Sequence, residues 1–305
     1  KCFTSVVVAT AEDGTILAAS VDDYQFMPAD SAGITPVPNS DAGFADGYAE
    51  GKVLMSKTVN NDAYSASMKE KAQSTTPWLT SMKAIEAYCV GKKASDLTKT
   101  SLDAVTGATL VDAPNYLKLV SEVAGSDDIT TTGAYAGDGS DLKMGRATAA
   151  AHGDKAFAEA VSLVQGDVLV ASSIDEFQFA DASSAGLVPC PIRTPPSPRY
   201  AEGKALMSKS VNSDMYSASM KEKAQSTTPW IESMSAIESF AGRTEDRRRE
   251  GEGPGRGFRA PRSLGYRRLT STPPLRLLRR RRRAFRLSYL SPSEPVVFQP
   301  ARFVA

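Results

Sequence analysis

The chain has 305 residues, of which 41% are hydrophobic, and a formal net charge of +1. That length suffices for two ordinary domains, and the small net charge conceals two opposite halves. Residues 1–242 carry 30 acids against 16 Lys and 3 Arg, a net of −11, whereas residues 243–305 carry 17 Arg, no Lys and 5 acids, a net of +12. No apolar run reaches membrane-spanning length and no signal peptide is present. Cys2, Cys89 and Cys190 have neither metal-ligand spacing nor a CxxC pair. The single histidine, His152, cannot by itself build a zinc site or a Ser-His-Asp triad. Metalloenzyme and hydrolase classes therefore start without support.

In chain order, Ser5 to Thr10 and Thr15 to Asp22 read as two strands joined by a turn at Glu12-Asp13-Gly14. Residues 27–47 form a loop rich in Pro, Gly and Asp. Thr76 suits a helix N-cap with Pro77 at the first helical position, and Gly91 suits the C-terminal end. Trp78, Met82, Ile85 and Cys89 then share one face. The block Tyr64 to Trp78 offers two aromatic faces, and Lys57, Lys69 and Lys71 offer positive charge for an aromatic or phosphate-bearing anionic ligand. It equally suits a packed helix-loop-helix, which is the preferred reading for any single residue in it.

Asp103-Ala104-Val105-Thr106-Gly107-Ala108-Thr109 is the most informative stretch. Gly107 lets the backbone approach a bulky phosphate, and Ala108 leaves the hydroxyl of Thr109 uncovered. Asp103 is placed to position that hydroxyl or a metal-bound donor, with Thr106 beside it. The bland alternative is a small-residue turn leading into a helix. Asp112 is expected to cap that helix, whose stripe is Tyr116, Leu117, Val120 and Val123 and whose end is Gly125. Unpaired N–H groups at such a helix start favour a phosphate.

An internal repeat with a period of about 152 residues organises the chain. Tyr64 to Trp78 and Tyr216 to Trp230 share the same fifteen letters. Ser172 to Phe179 corresponds to Ala19 to Phe26, and Lys204 to Lys209 to Lys52 to Lys57. The second copy has a lead-in, Leu142 to Asp154, that the first lacks, so the chain is expected to miss the start of its first domain. The expected division is a first domain over 1–124, a flexible linker over 125–141, a second domain over 142–242 without counterparts of residues 100–124, and a disordered tail over 243–305. The missing last helix is expected to leave an apolar face bare in the second copy.

Two Arg-rich segments break the repeat. Codons for Asn-Ser-Asp-Ala-Pro-Phe-Ala-Ala-Gly-Tyr, read after the loss of one base and of two later ones, give Ile192 to Tyr200. Codons for Phe258 to Arg262 contain Ser-Gly-Ala-Thr in another frame, 28 residues after Trp230, as Thr106 lies 28 after Trp78. The tail is thus read as out-of-frame translation. Its rival, a phosphate-binding patch on Arg279 to Arg283, has no groove-reading motif beside it, so no specific nucleic-acid partner is expected.

The 103–109 motif resembles that on which FMN transferases join FMN to a threonine through a phosphoester. With the strand pair, the duplication, Asp22 to Phe26, Ser56 to Asn60 and Gly145 to Gly153, the chain resembles the FMN-binding domain family. The closer likeness is to tandem-domain extracytoplasmic flavin lipoproteins of Gram-positive bacteria. The resemblance covers roughly residues 1–242, with a complete motif only in the first copy. It implies an α+β fold in two tandem copies, each a small antiparallel sheet with helices, the second incomplete. It also implies FMN on Thr109, with Asp103, Thr106, Gly107 and Ala108 around it, and no metal or catalytic residue. The implied partners are an FMN transferase and a redox partner at the membrane or cell surface. No GxGxxG fingerprint is present, so an electron-transfer protein is expected rather than a self-sufficient enzyme. The alternative is a cell-surface binding or scaffold module without flavin. The nucleotide sequence checks the reading of the tail: restoring one frame after codon 242 is expected to uncover a Gly-Ala-Thr near position 260.

Overall fold

Valine-rich and alternating segments become strands in a computed structural model of the protein, which describes residues 3–98, 112–126, 131–135, 137–190, 199–243 and 294–299. Three strands come first, β1 (Phe3–Ala11), β2 (Ile16–Pro28) and β3 (Lys52–Ser56), with a 3-10 turn (Gly43–Gly47) between the last two. Helices α1 (Asn61–Ala72), α2 (Trp78–Cys89), α3 (Ala94–Leu97) and α4 (Ala113–Ala124) follow. Then come β4 (Thr131–Tyr135), β5 (Leu142–Ala149), β6 (Ala156–Gln165), β7 (Val168–Asp181) and β8 (Lys204–Ser208). Helices α5 (Ser213–Ala224) and α6 (Trp230–Arg243) and strand β9 (Glu294–Gln299) complete the order.

The architecture is α+β: two antiparallel sheets and six α-helices among the described residues. One sheet runs β3-β2-β1-β9-β4 and the other β5-β6-β7-β8. The succession of three strands and two helices occurs twice, as β1-β2-β3-α1-α2 and as β6-β7-β8-α5-α6. None of the helices described is long and apolar enough to cross a membrane.

Side chains alternate across a strand, and β1 uses both of its faces. Val6 and Val8 pack with Trp78, Met82 and Ile85 of α2 and Tyr116, Leu117 and Val120 of α4. Phe3, Val7 and Ala9 face the second sheet. There Phe3 stacks on Tyr24 at 4.7 Å, Phe157 stacks on Phe177 at 5.0 Å, and Phe3 meets Phe177 at 5.0 Å. Four rings, two from each half, thus make one aromatic cluster. Backbone bonds link the halves further: Ala49 N–H donates to Arg199 O, Ala201 N–H to Gly47 O, and Phe44 N–H to Asp154 O. Gly47 has to be glycine, since a Cβ there would stand 2.0 Å from the Phe179 ring.

A buried ion pair sits inside this interface. Arg146 of β5 places Nη1 2.5 Å from Glu159 Oε2 of β6. It also donates to Ser5 Oγ at 2.9 Å, Ser20 Oγ at 3.1 Å and Ser20 O at 3.0 Å, all on the other sheet. Glu159 in turn accepts the hydroxyls of Ser5 and Tyr24. Burial disfavours the guanidinium charge, but the Glu159 and Asp22 carboxylates outweigh that and raise the Arg146 pKa.

Several expectations need correction. The stretch 125–141, read as a flexible linker, contributes β4, which pairs with β9. Gly133 lets this strand lie close against β7, because any Cβ there would meet the Val170 carbonyl oxygen at 1.9 Å. The tail, read as disordered over 243–305, contributes β9, which pairs with β1 from Val8↔Gln299 to Ala11↔Val296. In the second half β5 holds the same relation to β6. The edge of β1 equivalent to the one that β5 occupies on β6 is therefore paired by β9, and backbone bonding needs no particular side chains. Residues 244–293 lie outside the described residues. Finally, α2 begins at Trp78, not Pro77, and Thr76 does not cap it. Ser65 Oγ and Asn61 Oδ1 of α1 accept the N–H groups of Trp78 and Leu79 at 3.0 and 2.9 Å. A neighbouring helix supplies the cap, which no local pattern announces.

Replacing Arg146 by Leu is expected to destabilise the protein by about 3–5 kcal/mol, because Glu159 is left buried and uncompensated. Arg146→Leu with Glu159→Leu is expected to recover much of that loss, as read from urea denaturation midpoints.

Candidate functional site

Asp103, Thr106, Gly107, Ala108 and Thr109 lie outside the described residues, which stop at Thr98 and resume at Asp112. The site can be built from what holds the two ends of that segment. On the near side α3 is tied to α4, because Ser121 Oγ donates to Ala94 O at 2.7 Å. On the far side α4 begins directly after Asp112, with Pro114 in its first turn. Its stripe is buried as expected: Tyr116, Leu117, Val120 and Val123 are all within the core.

One carboxylate anchors the first turn of α4. Asp23 of β2 is wholly buried and accepts Tyr116 Oη at 2.6 Å and Lys57 Nζ at 3.0 Å on Oδ2. Its Oδ1 accepts Thr4 Oγ1 at 2.6 Å. Lys57 Nζ also stands 4.4 Å from the Tyr64 ring centroid and 5.7 Å from that of Trp78. Burial presses the Lys57 pKa down, but the Asp23 carboxylate outweighs it and the net shift is upward. Burial, and then Asp23, push the Tyr116 phenol well above its ordinary range. Asp23 is saturated with donors and Lys57 is committed to it. The arrangement is a clamp for a helix, not an acid–base pair, and Lys57 is not at hand to offset flavin charge. Lys69 and Lys71 lie exposed on α1.

The start of α4 differs from a simple phosphate cradle. Pro114 has no N–H, Asn115 and Tyr116 N–H donate to Asp112 O at 2.9 and 3.3 Å, and the Asp112 carboxylate stands at the same end. Those groups fit a phosphate poorly by themselves. A phosphate at Thr109 would rest on its ester bond and on the motif's own backbone.

The second half repeats part of the device. Glu176 stands for Asp23 and Lys209 for Lys57, with Lys209 Nζ 2.5 Å from Glu176 Oε2 and 4.4 Å from the Tyr216 centroid. Asp22 and Asp175 each accept a serine hydroxyl, from Ser56 and Ser208, and a backbone N–H, from Thr58 and Ser210. Burial lifts both carboxyls to about 6. This explains the repeated Asp-Asp or Asp-Glu followed by Ser-Lys-x-Val-Asn: one acid pins the turn after the third strand and the next holds the lysine. Sequence reasoning singled out both blocks yet missed the clamp. Its available signal was the retention of an acid and a lysine in both copies. Tyr116 has no counterpart among the described residues of the second half.

Other candidates carry little. His152 is exposed in the turn before β6. Cys89 and Cys190 are buried thiols, and burial pushes that of Cys89 up to about 12, far from a nucleophile's range. Among the described residues no group of three His, Cys, Asp or Glu is placed to hold a metal ion. No family model matches the chain, and no curated protein or solved structure matches it.

The two halves differ at one buried acid. Glu86 Oε1 accepts Val21 N–H while Oε2 pairs with Lys83 at 2.7 Å. Glu238 accepts Ile174 N–H at 2.7 Å in the same way, but Ser235 stands where Lys83 would be. Burial lifts Glu238 to about 7. The folded state thus holds this proton more tightly than the unfolded chain, whose carboxyl has the ordinary value of 4.5. Stability from this group is greatest below that value and is lost as pH rises toward about 7. Ser235→Lys is expected to restore the ion pair and shrink the fall in melting temperature between about pH 5 and pH 8, measured by circular dichroism.

Proposed function

We propose that the protein is an extracytoplasmic flavoprotein electron carrier with FMN joined to Thr109 by a phosphoester, built as two tandem copies of an FMN-binding domain of which the second is incomplete. The observation that carries the reading is the Asp-x-x-Thr-Gly-Ala-Thr motif at 103–109. Two features agree with it. Thr109 precedes Ala113 by four positions, so chain reach holds their Cα atoms within about 14 Å. The acceptor hydroxyl is thus tethered to a helix that Asp23, Lys57 and Tyr116 fix in place. The modest donor set at the helix start also agrees with a flavin held by a covalent bond, which needs no strong phosphate pocket.

Bound there, FMN supplies the one- and two-electron chemistry. The protein's part is to hold it, present it to a donor and acceptor at the membrane or cell surface, and keep its attachment segment anchored. Loading requires an FMN transferase as partner. Asp103 would orient the Thr109 hydroxyl or a metal-bound donor, and Thr106, Gly107 and Ala108 would give the phosphate access to it. The resemblance of the sequence to flavin lipoproteins supports a location outside the cytoplasm, at the membrane or cell surface. A second reading, a binding or scaffold module without flavin, is favoured by the Asp112 carboxylate and Pro114 at the start of α4.

Co-expression with an FMN transferase separates the two. The intact mass is expected to rise by one covalently bound FMN, with a flavin absorption spectrum that survives denaturation. Thr109→Ala is expected to abolish the gain, whereas Thr106→Ala is expected to leave the site of attachment unchanged. A colourless protein of unaltered mass would leave the scaffold reading standing.

A further inference from the structure

Helices α2 and α6 hold equivalent places in the two halves, yet among the described residues only α2 lies beneath another helix, while α6 is met by β4. Trp78, Met82 and Ile85 are 4%, 0% and 0% exposed beneath α4. Their equivalents Trp230 and Met234 are only half-buried, and Ile237 is 49% exposed. Phe240, which replaces Tyr88, is 65% exposed. These residues recur at helical spacing and form one apolar strip. Beside it, Ala160 and Ser162 of β6 are half-buried where Val6 and Val8 of β1 are closed over by α4.

The protein itself displays what seats on such a face. In the first half it is an amphipathic helix whose tyrosine hydroxyl bonds Asp23 beside Lys57 and whose Leu117, Val120 and Val123 fill the groove. In the second half the matching carboxylate and lysine, Glu176 and Lys209, are already paired in the equivalent place. We infer that the α6 face with the adjoining strip of β6 is a docking surface for an amphipathic helix of α4's chemistry, delivered by another polypeptide. That helix carries a tyrosine in its first turn and aliphatic residues one, four and seven positions later. Because Ala160 and Ser162 are smaller than the valines they replace, the fitting stripe is bulkier than that of α4. A second copy of this chain is a poorer occupant. Its α4 is buried against its own α2, and its own α6 offers Phe240, which has no hydroxyl for Glu176. The inference does not depend on the flavin reading.

The probe is a fluorescein-labelled peptide of residues 112–126, titrated with the full chain and followed by anisotropy. Saturable binding is expected. Phe240→Asp, and separately Ile237→Asp, are expected to weaken it roughly tenfold or more, with circular dichroism showing the fold retained. Tyr→Phe in the peptide at the position of Tyr116 is expected to weaken binding severalfold, which a merely greasy patch would not require. Absence of saturable binding overturns the inference, as does binding indifferent to both substitutions. Concentration-dependent dimerisation in sedimentation, abolished by Phe240→Asp, would assign the face to a second copy and also overturn it.

Discussion

The union of the two sheets depends on one guanidinium. Arg146 extends from β5 across the interface to Ser5 and Ser20, and its charge is balanced by Glu159, itself held by Ser5 and Tyr24. Burying such a pair is costly unless every polar atom finds a partner. Here the partners come from both sheets, so the network is complete only when the halves are docked in this one relation. The aromatic cluster around Phe3, Tyr24, Phe157 and Phe177 supplies apolar burial, which is tolerant of small slips. The ion pair supplies the register.

The same economy recurs at the edge of each sheet. A pair of adjacent acids on the second strand serves two purposes, since neighbouring residues face opposite sides. Asp22 and Asp175 pin the turn after the third strand, while Asp23 and Glu176 each hold a buried lysine under an aromatic ring. In the first half this second carboxylate also receives Tyr116, and that bond ties α4 to the sheet.

The halves diverge at their second helices: among the described residues α4 covers α2, whereas no helix lies over Ile237 and Phe240 of α6, which are at the surface. Independently of that face, Glu238 lacks the lysine that pairs with Glu86, because Ser235 of α6 takes the place of Lys83. The second half therefore carries an uncovered apolar face next to an uncompensated buried acid, and the first carries neither.

The sequence by itself determined the internal repeat, the strand pair of the first copy, the α4 stripe from Tyr116 to Val123 and the place of the Thr109 motif shortly before that helix. These are local matters: periodicity and turn residues act over a few positions, and a repeat is visible as letters. The tertiary structure alone decided what distant groups do to one another. Asp23, Lys57 and Tyr116 are separated by dozens of residues, and only the sheet and the packed helix bring them within bonding distance. The cap of α2 comes from Ser65 and Asn61 on another helix, so its true start could not be read from Thr76 and Pro77. β4 and β9 are strands because an open backbone edge was available to them, while their letters read as linker and tail. Hydrogen bonding along a sheet edge recognises the peptide group, which every residue shares, and so leaves no signature in the sequence.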